Sequence, residues 1–209
     1  MFKLAIFDFD GTLVDSKDVG ITLYNRLAEK FKTRKIEDLE SLWKLPLLER
    51  LKALNISLIK LPGLIADMKK EYEHSLSYIE MFPGMRELLL ELKGKGHSVA
   101  IISSNSESNI RDYFRSKRLD VLGTVLSPAH LWGKDKAIKT LLRVYHLRRE
   151  EAVYVGDEVR DIEACQKAGV KIICVDWGHD PPELLQAAHP DYMAGSAEDI
   201  RSILARYPG

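Results

Sequence analysis

MFKLAIFDFDGTLVDS, residues 1–16, runs from an apolar strand straight into acid. Leu4 to Phe7 are apolar at every position, the pattern of a parallel strand covered by helices on both faces. The run ends on Asp8 and Asp10, with Gly11 and Thr12 directly behind. Residues two apart in a strand share a face, so the two carboxylates emerge together at its carboxyl end. Acids that close repel each other unless a cation lies between them.

Downstream, residues 16–80 change period. VGITLYNRLAEKF, DLESLWKLPLLERLKAL and LIADMKKEYEHSLSYI space apolar residues three and four apart. That spacing predicts a bundle of three or four helices, broken at Pro46 and at Leu61-Pro62-Gly63. After Pro83-Gly84, helical stretches such as MRELLLELKGKG and EVRDIEACQKAG alternate with strands such as SVAII, AVYVG and KIICVDW. Alternation of this kind means crossover units and a parallel sheet with helices on both faces. The fold reads as α/β: a doubly wound, Rossmann-like core of residues 1–15 and 81–209. An α-helical cap, residues 16–80, is inserted after the first strand.

Composition narrows the function. The 209 residues are 45% apolar and 30% charged, as in an ordinary globular enzyme, and 31 Lys plus Arg balance 31 Asp plus Glu. Neutrality argues against nucleic acid or a membrane surface as partner. No run approaches the ~20 apolar residues of a membrane span. Acids interrupt the first apolar stretch too early for a secretory signal. Cys165 and Cys174 match no metal or redox spacing and read as buried, inert thiols. The expectation is a cytoplasmic protein.

Ligands bind outside the carboxyl ends of strands in open parallel sheets. Those ends are Asp8-Phe9-Asp10, Ser103-Ser104-Asn105 and Gly156-Asp157-Glu158, with a lysine-bearing segment, LWGKDK, before a helix. Asp157 brings a third oxygen donor to Asp8 and Asp10, a hard set that suits Mg²⁺. A phosphate ester resists attack because its dianion repels nucleophiles. A cation cancels part of that charge, and a carboxylate held in line with phosphorus can then attack. A second carboxyl nearby serves as acid for the leaving oxygen and then as base for water. Asp8 as nucleophile and Asp10 as acid/base fit this division.

Gly11, Thr12, Ser103, Ser104 and Asn105 are the candidate phosphate binders, although Ser and Asn are equally good helix caps. Lys134 supplies a positive charge from the loop, with Lys136 as the competing choice. The six histidines show no ligand spacing. Trp43 and Tyr72 read as core of the helical insert, and Lys44 and Arg50 as cap cations that reach the far end of a substrate.

DFDGTLVDS, followed in order by a strand ending at Ser103, the Lys134 segment, GDEVRDIEACQKAG and VDWGH, resembles the haloacid dehalogenase-like hydrolases. The likeness is to their phosphoglycolate phosphatase-like branch, with a small α-helical cap. It implies Asp8 as nucleophile and Asp10 as acid/base. It also implies Mg²⁺ on Asp8, Asp157 and the Asp10 main-chain carbonyl, with Asp161 orienting the metal's waters or Lys134. Asp135 follows Lys134 where the branch often has proline. The implied reaction is hydrolysis of a small phosphorylated metabolite, phosphoglycolate-like or a sugar phosphate, through an aspartyl-phosphate. A phosphomutase of the β-phosphoglucomutase type uses the same aspartate, and a binding protein on the same fold is the non-enzymatic rival.

Overall fold

In the computed structural model, which describes residues 2–128 and 133–207, the chain enters through strand β1 (Leu4–Phe7), buried throughout. A two-residue strand, β2 (Val14–Asp15), leads into helices α1 (Lys17–Phe31), α2 (Leu39–Trp43), α3 (Leu47–Ala53) and α4 (Leu61–Tyr72). A 3-10 segment, Glu73–Tyr78, connects to β3 (Glu80–Met81). β3 pairs antiparallel with β2, Val14 opposite Met81, so one short ladder ties the chain's exit into the helices to its return.

From there the alternation is regular. α5 (Met85–Gly94), β4 (Ser98–Ile102), α6 (Glu107–Ser116), β5 (Val125–Leu126) and α7 (Lys134–Val144) come first. β6 (Ala152–Gly156), α8 (Val159–Ala168), β7 (Lys171–Val175), α9 (Pro182–Ala187), β8 (Tyr192–Ala194) and α10 (Ala197–Ala205) follow. The sheet runs β5-β4-β1-β6-β7-β8, with every neighbouring pair parallel. The chain winds outward from β1 to β4 and β5, then crosses back to β6 on the other side. That reversal puts the carboxyl end of β1 at the switch point, where diverging crossovers open a crevice.

Alternation along the strands fills two layers. Ala5, Phe7, Ile101 and Val155 pack on Leu88 and Leu89 of α5 and Ile110 of α6. Leu4, Ile6, Ile102 and Tyr154 face Ile138 and Leu141 of α7 and Ile162 of α8. Cys165 and Cys174 lie in this second layer as free thiols, both pushed above the ordinary range by burial. The helices between β2 and β3 have their own small core, with Tyr24, Leu42, Leu51, Leu54 and Leu64 at its centre. Met68 on α4 packs on that core and on the first sheet layer as well.

Two local expectations need correcting. Leu61-Pro62-Gly63 does not break a helix but opens α4. Proline is at home in a first turn, where its missing N–H would have no partner anyway. Lys134 is not a loop residue but the first residue of α7, after Gly133. Leu131 and Trp132 of the LWGKDK segment fall outside the described residues. No described helix is long and apolar enough to cross a membrane.

Candidate active site

Asp8 continues the β1 ladder through its N–H to Val155 O at 2.9 Å, and its side chain turns into a pocket of charge. It is 2% exposed. Its Oδ1 accepts the Phe9 N–H at 2.6 Å, and its Oδ2 accepts Lys134 Nζ at 2.5 Å. The same ammonium donates to Asp161 Oδ1 at 2.5 Å, so one cation bridges two acids. Burial raises the Asp8 pKa to about 7; Lys134 opposes the rise, while Asp161 and Asp157 add to it.

Asp157, at the end of β6, is fully buried. Its Oδ1 accepts the Thr12 hydroxyl at 2.6 Å, and its Oδ2 accepts the His179 N–H at 2.8 Å and lies 2.8 Å from His179 Nδ1. Burial pulls the His179 pKa down, but the hydrogen bond and charge of Asp157 outweigh it and hold the ring at about 9. Gly11 is what lets this cluster close. Its φ of +78° is left-handed, and a Cβ there would run into His179 and Asp157.

Asp161 serves two purposes at once. At the third position of α8 its Oδ2 accepts the Glu158 N–H at 3.3 Å, a capping contact, while its Oδ1 holds Lys134. Burial raises its pKa as well. Tyr154 adds a hydroxyl contact to Oδ1 at 3.3 Å.

Asp10 lives in different company. It accepts the Ser16 hydroxyl at 2.7 Å, the Tyr72 hydroxyl at 2.5 Å and Asn105 Nδ2 at 3.1 Å. Tyr72 comes from α4, so the insert reaches the candidate acid/base directly. Burial, with Asp10 beside it, pushes the Tyr72 phenol far above its usual range and keeps it a donor.

The β4 end supplies polar atoms from a second direction. Ser103 is buried, with its Oγ accepting the Asn105 N–H at 3.1 Å. Ser106, not these residues, caps α6 through Asn109 N–H at 3.2 Å. Ser103, Ser104 and Asn105 are therefore not spent on the cap. Ser104 and Asn105 line a cavity of about 190 Å³ that opens onto Asp10.

Each candidate now has a place. Asp8, Asp157, Asp161 and Lys134 meet in one buried cluster; Asp10, Ser104 and Asn105 line the cavity, with Ser103 tied to Asn105; Lys136 is exposed. Thr12 is tied to Asp157, although it was read as a phosphate binder. Lys44 ends α2. Arg50 is not a free cap cation. Its guanidinium pairs with Asp180 Oδ1 at 2.5 Å and donates to Leu45 O and Trp43 O at 2.7 and 2.9 Å. It tethers the insert to the core, since Asp180 also accepts the Val159 N–H at 2.8 Å where α8 begins.

Sequence reasoning puts Tyr72 in the insert core and passes over His179. Tyr72 carried no signal beyond its place on an apolar helix face. His179 did carry one, its place in VDWGH, a segment already aligned with the other stations. Trp43 is also more than insert core, with its ring centroid 6.4 Å from that of His179.

The donor set fits a divalent cation. Oxygens of Asp8, Asp157 and Asp161 lie within 4.8 Å of one another, all three residues buried. All-oxygen donors are the kind Mg²⁺ prefers, and buried carboxylates this close repel each other unless positive charge lies among them, part of which Lys134 and His179 supply. Asp161 belongs to the same cluster, although it was read as lying behind it, and its Oδ1 is engaged by Lys134.

The chain is similar to known proteins along most of its length. A family model described as haloacid dehalogenase-like hydrolase matches residues 5–175. A phosphoglycolate phosphatase from Synechococcus elongatus is 29% identical over 201 residues, 95% of each chain. A pyrophosphatase from Bacillus mycoides is 25% identical over 212 residues, 98% of each. The solved structure of a predicted phosphatase from Clostridium acetobutylicum superposes with a TM-score of 0.85 at 20% identity, over 99% of both chains. The chain belongs to the haloacid dehalogenase-like hydrolases.

Proposed function

We propose that this chain is a Mg²⁺-dependent phosphatase that cleaves a small phosphorylated metabolite through a phosphoaspartate on Asp8. The observation that carries this reading is the contrast between two neighbouring acids. Asp8 sits among buried charges with Lys134 on its oxygen, whereas Asp10 is held by three neutral donors beside a cavity. One is placed to attack, the other to exchange protons.

In the first half-reaction an Asp8 oxygen forms a bond to phosphorus and the ester oxygen leaves, taking a proton from the Asp10 carboxyl. In the second, Asp10 takes a proton from water, the water oxygen bonds to phosphorus, and the bond to Asp8 breaks to free phosphate. Lys134 places positive charge beside the attacked phosphoryl group. The Ser103 segment offers it donors. Asp161 keeps the lysine in position. Asp8, Asp157 and the main-chain carbonyl of Asp10 would hold the cation, which when bound neutralises charge on the phosphoryl oxygens. Residues 1–15 and 81–209 form the catalytic body in this reading, and residues 16–80 a lid that excludes water. Two buried free thiols and a formal net charge of zero support action in the cytoplasm on a small ester, without nucleic acid.

The test is release of inorganic phosphate from p-nitrophenyl phosphate and a panel of phosphorylated metabolites, with and without Mg²⁺. Release that requires the cation and vanishes in Asp8→Asn supports the reading. Transfer between sugar phosphates with little free phosphate would show a mutase instead, and no turnover of any phosphate would leave a binding protein.

A further inference from the structure

Lys69 lies three residues before Tyr72 on α4, on the same helix face, and lines the cavity that opens onto Asp10. Its surroundings do not account for its charge. Among the described residues its ammonium meets one hydrogen-bond partner, the neutral Ser127 hydroxyl at 3.4 Å, and no carboxylate. That hydroxyl accepts from the ammonium and donates its own proton to Asn105 O at 2.5 Å, so it brings no charge to the lysine. The lysine's backbone is also fixed, because Asn109 Nδ2 donates to Lys69 O at 2.8 Å and to Asn105 Oδ1 at 3.0 Å. Burial lowers its pKa, the mark of an ammonium that has lost water without gaining an anion. Lys30 of α1 shows the ordinary solution: it pairs with Asp67 at 2.5 Å.

An unpaired, half-buried cation is costly unless an anion arrives to meet it. The phosphoryl group of a substrate is already matched by Lys134 and the strand ends. What remains for Lys69 is the leaving-group side, beside Asp10 and the apolar walls made by Ile65 and Met68. At about 190 Å³ the cavity admits a leaving group of only a few atoms. We propose that Lys69 is the specificity-determining residue of this site, favouring phosphate compounds whose leaving group carries a second anionic group over those whose leaving group is neutral. The inference rests on the phosphatase reading above and adds to it which esters are chosen.

The experiment compares kcat/KM for 2-phosphoglycolate, inorganic pyrophosphate and 2-hydroxyethyl phosphate in the Mg²⁺-loaded protein, wild type, Lys69→Met and Lys69→Arg. The first two probes separate a carboxylate from a phosphoryl group as the second anion, and the third carries neither. Wild type should favour one anionic probe over 2-hydroxyethyl phosphate at least about tenfold. Lys69→Met should shrink that ratio by about ten- to a hundredfold, the scale of a lost charge-assisted hydrogen bond, while Lys69→Arg keeps most of it. Equal rates on all three probes in wild type would overturn the inference and leave the phosphatase standing. So would an equal loss on all three in Lys69→Met, or a Lys69→Arg that behaves like Lys69→Met. No phosphate released by wild type from any of the three, with p-nitrophenyl phosphate still cleaved, would overturn the inference alone; no release from p-nitrophenyl phosphate either would remove the phosphatase reading with it.

Discussion

The sheet edge and the helical insert meet at one cavity, but they build their halves of it differently. At the sheet edge, strands β1, β4 and β6 deliver side chains into a buried network in which every charge leans on another. Asp8, Lys134 and Asp161 form a chain of 2.5 Å contacts, and Asp157 is held on both oxygens. The polar contacts between the insert and the core include Tyr72 on Asp10, Arg50 on Asp180, and Lys69 on Ser127. The core can therefore be broken at a single atom, whereas the insert can be loosened one contact at a time.

The largest effect belongs to the sheet edge. Asp8→Asn keeps the shape and removes the proposed nucleophile, so turnover of p-nitrophenyl phosphate should fall at least about 10⁴-fold. Stability should not fall with it. A carboxyl whose pKa is raised to about 7 by burial is costly to ionise, and asparagine carries no such cost. A variant that unfolds would show that the charged network supports the core, and retained turnover would remove Asp8 as nucleophile.

On the insert side the largest effect should be structural. Arg50 and Asp180 are 9% and 10% exposed at their side chains. Arg50→Met strands a buried carboxylate and should cost about 3 kcal/mol, roughly 6 to 12 °C in Tm. Adding Asp180→Asn should recover much of that loss, because no charge is then left unpaired. A double variant no better than the single one would mean that the guanidinium's bonds to Trp43 O and Leu45 O matter more than the pair.

A third comparison uses pH. In the cation-free protein Asp8 keeps a proton up to about pH 7, well above the ordinary carboxyl value of 3.8. A bound cation must displace that proton. Mg²⁺ affinity should therefore fall about tenfold for each pH unit below 7 and level off above it. The same shift makes the cation-free fold lose stability as pH rises from about 4 to 7, since the folded state holds the extra proton there. Calorimetry in buffers of different ionisation heat checks both, and a pH-independent affinity would place the cation away from Asp8.

The two regions also differed in how far they could be read from sequence. A strand buried on both faces is apolar throughout, so acids at its end stand out, and Asp8, Asp10 and Asp157 were legible for that reason. The expected loop position does not account for Lys134, which is helical. This lysine points inward because it starts α7 beside Asp8 and Asp161, while Lys136 is exposed. Helical spacing in the insert shows which residues turn away from water, but not what they meet once the insert lies against the sheet. Tyr72 therefore read as core, and Arg50 as a substrate contact. VDWGH marks the segment of His179 but not its role, because its partner, Asp157, lies 22 residues earlier at the end of another strand.

The smallest effect isolates what the insert adds to the chemistry. Tyr72→Phe removes one of the three donors to Asp10 and leaves Ser16 and Asn105 in place. A ring of the same shape keeps the packing, so Tm should move little. Asp10 then loses the contact that ties its orientation to the presence of α4 over the site. Proton donation to the leaving oxygen should suffer most where that oxygen is a poor leaving group. We expect kcat to fall about tenfold for an alkyl phosphate and less than threefold for p-nitrophenyl phosphate, whose phenolate needs little help. KM should stay close to wild type in both cases. An equal fall on the two esters would reduce Tyr72 to a packing residue, and the insert would then act on Asp10 only by keeping water out.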